Sequence, residues 1–168
     1  MFRFLSAVAA VALSFQPLHA GQLSQVILPP IAHAQATLVV VGANGQEQAY
    51  SPADLEGFPT FRLTTATPWR DEPAEFDGVL LREVLAANGL DQVDAIVVTA
   101  ENDYRTVIER EVFETMDILV ATRVDGRAHS RRLRGPIQFV IDKEAFEASD
   151  KTSESNLVWM AARIEPHR

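Results

Sequence analysis

From residue 36 onward the chain is cut into short β-prone runs by turn pairs, and this punctuation limits its possible folds more than any other feature. Thr37-Leu38-Val39-Val40-Val41 and Gln46-Glu47-Gln48-Ala49-Tyr50 flank Asn44-Gly45, a pair that accepts the positive φ angles of a tight hairpin. Phe58 to Ala66 reads as a strand, and Thr67 to Glu75, polar and broken by Pro68 and Pro73, as a loop that carries Trp69. Ala95 to Ala100 is a buried strand, Glu101-Asn102-Asp103 a turn, and Tyr104 to Ile108 its continuation or partner. Ile118 to Val124, Asp125-Gly126 and Arg127 onward give a second hairpin, and Pro136 to Ile141 and Leu157 to Ile164 read as closing strands.

The helices between these runs are short. Ser51 is placed to cap one, with Pro52 at its first position and Asp54 in its first turn, and Gly57 ends it. Val79-Leu80-Leu81 and Val84-Leu85 recur at helical spacing before Asn88-Gly89, which predicts a helix over residues 80–88 with one apolar side inward. A further short helix is expected around Glu111 to Thr115. With no repeat, linker or low-complexity stretch, the expected fold is a single α+β domain with mostly antiparallel strands.

Before residue 36 the pattern is different. Met1-Phe2-Arg3 carries one positive charge, and residues 4–15 follow without any, the layout of a secretory leader. That apolar run is shorter than the ~20 residues of a membrane-spanning helix, and no later apolar run free of charge is longer, so no membrane span is expected in the mature protein. Leu18-His19-Ala20 and Ala32-His33-Ala34 are competing small-residue cleavage sites. Ala32-His33-Ala34 is the better match, so the expected division is a leader at 1–34 and a domain at 35–168, with cleavage after Ala20 as the alternative. The expected location is the periplasm.

Removing residues 1–34 takes away Arg3 alone among the charged residues, so the 15 basic residues become 14 against 23 acidic ones, a net charge of −9. Such an acidic surface argues against nucleic acid as a partner. The chain has no cysteine, which excludes disulfides, thiol catalysis and thiolate metal sites. Only His129 and His167 remain as imidazoles, outside any nucleophile or zinc motif, and both read as solvated surface residues. Asp71-Glu72 and Glu109-Arg110-Glu111 read as exposed charged faces rather than an acid–base pair. No catalytic or metal-binding residue is therefore assigned. What stands out is a set of aromatic and hydrogen-bonding residues at loop positions beside strands: Trp69, Asn102, Asp103, Tyr104, and the run Arg131, Arg132, Arg134, Gly135. Loops of this kind on a rigid sheet are where small ligands bind.

In order and spacing, several segments resemble the oxidoreductase molybdopterin-binding domain, the sulfite oxidase fold, and especially its small exported stand-alone members. They are Phe61-Arg62, Thr67-Pro68-Trp69, Phe76-Asp77-Gly78-Val79-Leu80-Leu81-Arg82-Glu83-Val84-Leu85, Ala100-Glu101-Asn102-Asp103-Tyr104, Ile118-Leu119-Val120-Ala121 before Asp125-Gly126, Arg134-Gly135-Pro136-Ile137 and Leu157-Val158-Trp159. In the enzymes of that fold a cysteine shortly before the tryptophan supplies the molybdenum thiolate; here the stretch reads Leu63-Thr64-Thr65-Ala66-Thr67-Pro68-Trp69. A neutral hydroxyl cannot replace a soft thiolate. The resemblance therefore implies a fold that keeps a pterin, without molybdenum and in reduced form. Trp69 or Tyr104 would stack on its face, Asn102 and Asp103 would read its edge, and Arg131, Arg132 and Arg134 would lie beside a Gly135 that lets a ligand approach the backbone. It further implies a ligand-dependent partner, the periplasmic part of a membrane signalling protein that controls cyclic di-GMP. The alternative is a molybdopterin-dependent oxidoreductase with an atypical metal site.

Overall fold

The computed structural model describes residue 21 and residues 23–167, so the start of the expected leader, its apolar run and Ala20 lie outside the described residues. In chain order the strands and helices are β1 (Ser24–Val26), β2 (Leu38–Val41), β3 (Glu47–Tyr50), α1 (Pro52–Leu55), β4 (Thr60–Thr67), β5 (Arg70–Leu80), α2 (Leu81–Ala87), β6 (Ala95–Ala100), β7 (Arg105–Glu109), α3 (Arg110–Thr115), β8 (Leu119–Val124), β9 (Arg127–Ala128), β10 (Gln138–Val140), α4 (Lys143–Ala148) and β11 (Ala161–Pro166). They form two sheets. One has the order β1-β4-β5-β8-β10 with β9 added to β8, and the other β3-β2-β11-β6-β7. Every pairing is antiparallel except that of β2 with β11, so the α+β, mostly antiparallel expectation holds.

The main core lies between the sheets. Val79 and Val120 contribute from one, and Leu38, Val40, Ile96, Val98, Ile108 and Ile164 from the other, with Leu81, Val84 and Leu85 of α2 closing it. All six residues of β8 are buried, because its opposite face carries a second cluster of Leu63, Ala74, Phe76, Leu119, Ala121, Val124 and Val140. Strand β7, covered on one face only, alternates exposed and buried residues instead. Between β5 and β8 the backbones approach so closely that a Cβ on Gly78 would lie 2.1 Å from the Val120 carbonyl oxygen, which confines that position to glycine.

Local chemistry explains most boundaries. The Ser51 hydroxyl accepts the Asp54 N–H at 3.1 Å while the Asp54 carboxylate accepts the Ser51 N–H at 2.8 Å, a reciprocal cap that starts α1 where the sequence placed it. Asn88 and Gly89 (φ +66°) end α2, and Asp125 (φ 49°) with Gly126 (φ 72°) turns β8 into β9. Other expectations need correction. The first hairpin is tight but turns over three residues, not two: the Gly42 N–H donates to the Gln46 carbonyl at 2.8 Å and the Gly45 N–H to the Gly42 carbonyl at 2.9 Å, with Gly45 alone at a positive φ (80°). Val79 and Leu80 finish a strand, and the helix runs only over Leu81–Ala87. Residues 67–75 are not a loop: β4 and β5 form one long hairpin turned at Pro68-Trp69, with Thr67 opposite Arg70. The register of β5 shows why. Its first half pairs with β4 alone, since β8 joins only from Phe76, and Pro73 falls opposite the irregularity between Thr65 and Thr67, where a missing N–H disrupts no ladder bond.

Buried charge was not foreseen. Asp77 is fully buried and takes a two-pronged bond from Arg62, at 2.7 and 3.1 Å. Arg123, 2% exposed, donates to Glu56 and, at 2.8 Å, to the Pro29 carbonyl. Burial pushes the Glu56 carboxyl upward, but hydrogen bonds from Arg123 and Thr122 outweigh it, so its pKa falls below the ordinary value and the group stays charged. Pro29 belongs to the segment read as leader. That segment is also bound to the domain through β1, which pairs with β4, and through the Val26 carbonyl, which accepts the Thr60 hydroxyl at 2.6 Å. Among the described residues no helix is long and apolar enough to cross a membrane.

Candidate functional site

Three connections meet at one end of the molecule and are stitched together by backbone bonds. The β6–β7 turn is closed by Asp103 N–H to the Ala100 carbonyl at 3.1 Å, with Asp103 in the left-handed region (φ 64°). Its Glu101 N–H donates to the Met160 carbonyl at 2.8 Å, and the Met160 N–H donates to the Arg134 carbonyl at 3.1 Å. The segment preceding β11 is thereby pinned between the turn at 101–104 and the turn at 131–135. This fixes Trp159, which meets Trp69 from the β4–β5 turn at 4.6 Å between ring centroids and an interplanar angle of 81°. Edge-to-face packing of this kind satisfies the quadrupoles of both rings.

Beside these tryptophans lies a pocket of about 270 Å³, lined by Trp69, Ala100, Asn102, Tyr104, Glu154, Ser155, Leu157, Val158 and Trp159. It is close to the small end of ligand sites, typically ~300–1,000 Å³. Leu157 and Val158 give it buried apolar lining, Tyr104 is 45% exposed, and Asn102 uses its side-chain oxygen to accept the Tyr104 N–H at 3.3 Å. The guanidinium of Arg134 lies over the Trp159 ring at 4.6 Å and over Trp69 at 5.3 Å. Arg134 takes a left-handed backbone (φ 76°), and its Nε is buried without a hydrogen-bond partner among the described residues.

Trp69, Asn102 and Tyr104 thus line the same pocket, and Arg134 flanks its aromatic pair. The other residues singled out in the sequence lie differently. Asp103 shapes the turn, is exposed and does not line the pocket. Arg131 is clamped by Glu101 at 2.7 and 2.8 Å and donates to the Gln35 carbonyl at 3.0 Å, while Arg132 is exposed and outside the lining. Gly135 is a correction of reason: a Cβ there would lie 2.5 Å from His129 Cγ, so the missing side chain makes room for His129 and not for a ligand. His129 in turn is not a solvated residue. It is 1% exposed, with Nε2 2.7 Å from Gln138 Oε1, and burial lowers its pKa below the ordinary 6.5 against the pull of the Gln138 bond. His167 is exposed, as expected.

Sequence reasoning missed Glu154, Ser155, Leu157, Val158 and Trp159 as lining. Trp159 had a signal, being an aromatic within a matching segment; Glu154 and Ser155 stand on a single 3₁₀ turn, whose cap between Ser153 and Asn156 reads as structure alone. Thr64 and Thr65 do not line the pocket. Thr65 is buried, and its hydroxyl accepts the Lys143 N–H at 2.8 Å while donating to the Ala66 carbonyl at 3.2 Å. Among the described residues no three His, Asp or Glu side chains are grouped to hold a metal ion.

No protein-family model matches the chain, nor does any curated protein. Among solved structures it is similar to the sulfane dehydrogenase SoxCD from Paracoccus pantotrophus, with a TM-score of 0.61 at 14% identity, over 92% of this chain and 49% of that one. The fold is of the sulfite oxidase type. At this identity the likeness carries the fold alone, and this chain spans about half the length of the chain it matches.

Proposed function

We propose that the protein is an exported, non-catalytic pterin-binding protein of the periplasm. The observation that carries this reading is the pocket: two tryptophans at right angles beside Asn102 and Tyr104, on a fold resembling those that hold molybdopterin. A flat heterocycle can lie on one ring and abut the other, with its polar edge toward the hydrogen-bonding groups at the pocket wall. A molybdenum centre does not fit the residues present. The chain has no cysteine, and the Thr65 hydroxyl, a hard neutral donor, is committed to two backbone bonds. We derive no redox step from this site.

The biological role we assign, resting on the resemblance to small exported members of the fold, is ligand-dependent pairing with the periplasmic part of a membrane signalling protein that controls cyclic di-GMP. The deciding experiment is to purify the protein from the periplasm of its own cells, denature it, and identify released small molecules by fluorescence and mass. A near-equimolar pterin is expected. Absence of any pterin, together with no binding when reduced pterins are titrated in, would overturn the reading.

A further inference from the structure

The pocket contains more than flat surfaces. Among the described residues Glu154 is the one charged residue lining it, at the start of a turn whose Ser153–Asn156 cap fixes the local backbone. The nearest basic residue in sequence, Lys151, pairs with Glu111, and Arg131 pairs with Glu101, so Glu154 has no ion pair among the described residues. Asn102 has its side-chain oxygen engaged by the Tyr104 N–H, which leaves its amide N–H groups as the donors offered to the pocket. The polar lining therefore supplies a two-oxygen acceptor from Glu154 and a donor from Asn102.

The pyrimidine edge of a pterin presents the complementary sequence: the 2-amino group and N3–H donate, and the 4-oxo group accepts. A carboxylate can take two adjacent N–H groups at once, and such charge-assisted pairs are stronger than neutral ones. The cations near the site are not placed to receive a phosphate. Arg131 is bound to Glu101, Arg134 lies over the tryptophan rings, and neither these nor Arg132 lines the pocket. A phosphate entering it would instead meet the Glu154 carboxylate.

Building on the pterin reading above, we infer that Glu154 and Asn102 read the ligand's edge, and that the pocket selects a neutral, unphosphorylated 2-amino-4-oxo pteridine. It discriminates against the 2-oxo counterpart, which turns a donor into an acceptor facing a carboxylate, and against phosphorylated derivatives. Glu154 and Asn102 are exposed in the free protein, so a ligand that covers them must replace their bonds to water, and an analogue that cannot pair with them leaves those groups unsatisfied.

The test titrates wild type and Glu154→Gln with pterin, lumazine, 7,8-dihydroneopterin and 7,8-dihydroneopterin triphosphate, following tryptophan fluorescence. Glu154 is exposed, and the substitution keeps its shape, so unfolding midpoints of the two proteins should agree. Wild type should bind pterin about tenfold or more tightly than lumazine, and dihydroneopterin more tightly than its triphosphate. Glu154→Gln should lose about tenfold or more in pterin affinity and bring the pterin-to-lumazine ratio toward one, because glutamine offers one acceptor and one donor. Equal binding of pterin and lumazine by wild type, or unchanged pterin affinity in Glu154→Gln, would overturn the edge-reading role while leaving pterin binding standing. Failure of wild type to bind either pterin or dihydroneopterin would remove the pterin reading itself, and this inference with it.

Discussion

Trp69 is at once a packing residue and part of the pocket wall, and the two roles can be separated by measurement. It is half-buried, packs against the edge of the main core and meets Trp159 edge on, so it lacks the full burial for which truncation of an aromatic costs ~3–5 kcal/mol. We expect Trp69→Ala to destabilise the fold by about 1–3 kcal/mol in denaturant unfolding and to weaken pterin binding by at least about tenfold, since stacking adds ~0.5–1.5 kcal/mol beyond lost contact area. Unchanged affinity alongside a large stability loss would take Trp69 out of the site. His129 makes a different kind of test. Its folded pKa lies below the ordinary 6.5 because the ring is buried, so above about pH 6.5 neither state binds a proton and stability is full. As the pH falls below that value the unfolded chain takes up the proton first, and stability declines toward the folded pKa and then levels off, with a slope no steeper than ~1.4 kcal/mol per pH unit. Denaturant unfolding of wild type and His129→Gln between pH 7.5 and 5.5 should show this decline in wild type alone. Loss in the Glu56 carboxylate, whose folded pKa is also lowered, begins only below its ordinary 4.5 and so falls outside that window.

At the level of elements, β1 and the segment after it separate the two expected cleavage sites by their effect on stability. Cleavage after Ala34 would remove a strand of the sheet, the Val26 carbonyl that accepts the Thr60 hydroxyl, and the Pro29 carbonyl that accepts from buried Arg123. A donor left unpaired in the interior costs ~1–3 kcal/mol each, more when charged, so a protein starting at Gln35 should be less stable than one starting at Gly21 by about 2–5 kcal/mol. If the chain is exported as proposed, mass measurement should accordingly give Gly21 as its first residue; an N-terminus at Gln35 would show that the domain folds without β1. The small-residue match at Ala32-His33-Ala34 registers only local sequence, whereas β1 is held by β4 across the sheet. The elements easiest to read were those whose chemistry is local: the Ser51–Asp54 cap, the Asn88-Gly89 stop and the Asp125-Gly126 turn. The α4 helix was as legible, with Asp142 accepting the Ala145 N–H at 3.1 Å ahead of good helix formers, and was passed over between strand runs. The β4–β5 hairpin was not legible, because Pro73 and four charged residues look like a loop unless one knows that β8 joins only from Phe76. In the site, Trp69, Asn102 and Tyr104 were visible as loop aromatics and amides, but Glu154 becomes a lining residue only when the segment before β11 is pinned between the two other turns, a long-range event.

For the whole molecule, the question is what a sulfite oxidase-type fold can do in a chain that has no cysteine. A cofactor's redox chemistry belongs to the metal and the group that carries it, while the protein contributes binding and orientation. Here a pocket walled by Trp69 and Trp159 is present, and Thr65 is buried and ties β4 to the start of α4 through the Lys143 N–H. A thiol at that position would have to give up this bond and would still lack the surrounding groups that orient a metal ligand, whose loss alone typically weakens metal affinity ~10–100-fold. We therefore expect protein purified from its own cells to contain no stoichiometric molybdenum or tungsten, and Thr65→Cys to gain neither metal nor sulfite or sulfoxide redox activity while losing ~1–2 kcal/mol of stability from the weakened hydrogen bonds. Elemental analysis of both proteins, with unfolding measured on the same samples, checks this. Near-equimolar molybdenum in the wild type would show that ligands other than thiolate hold the metal, and would move the protein from the binding class to the oxidoreductases.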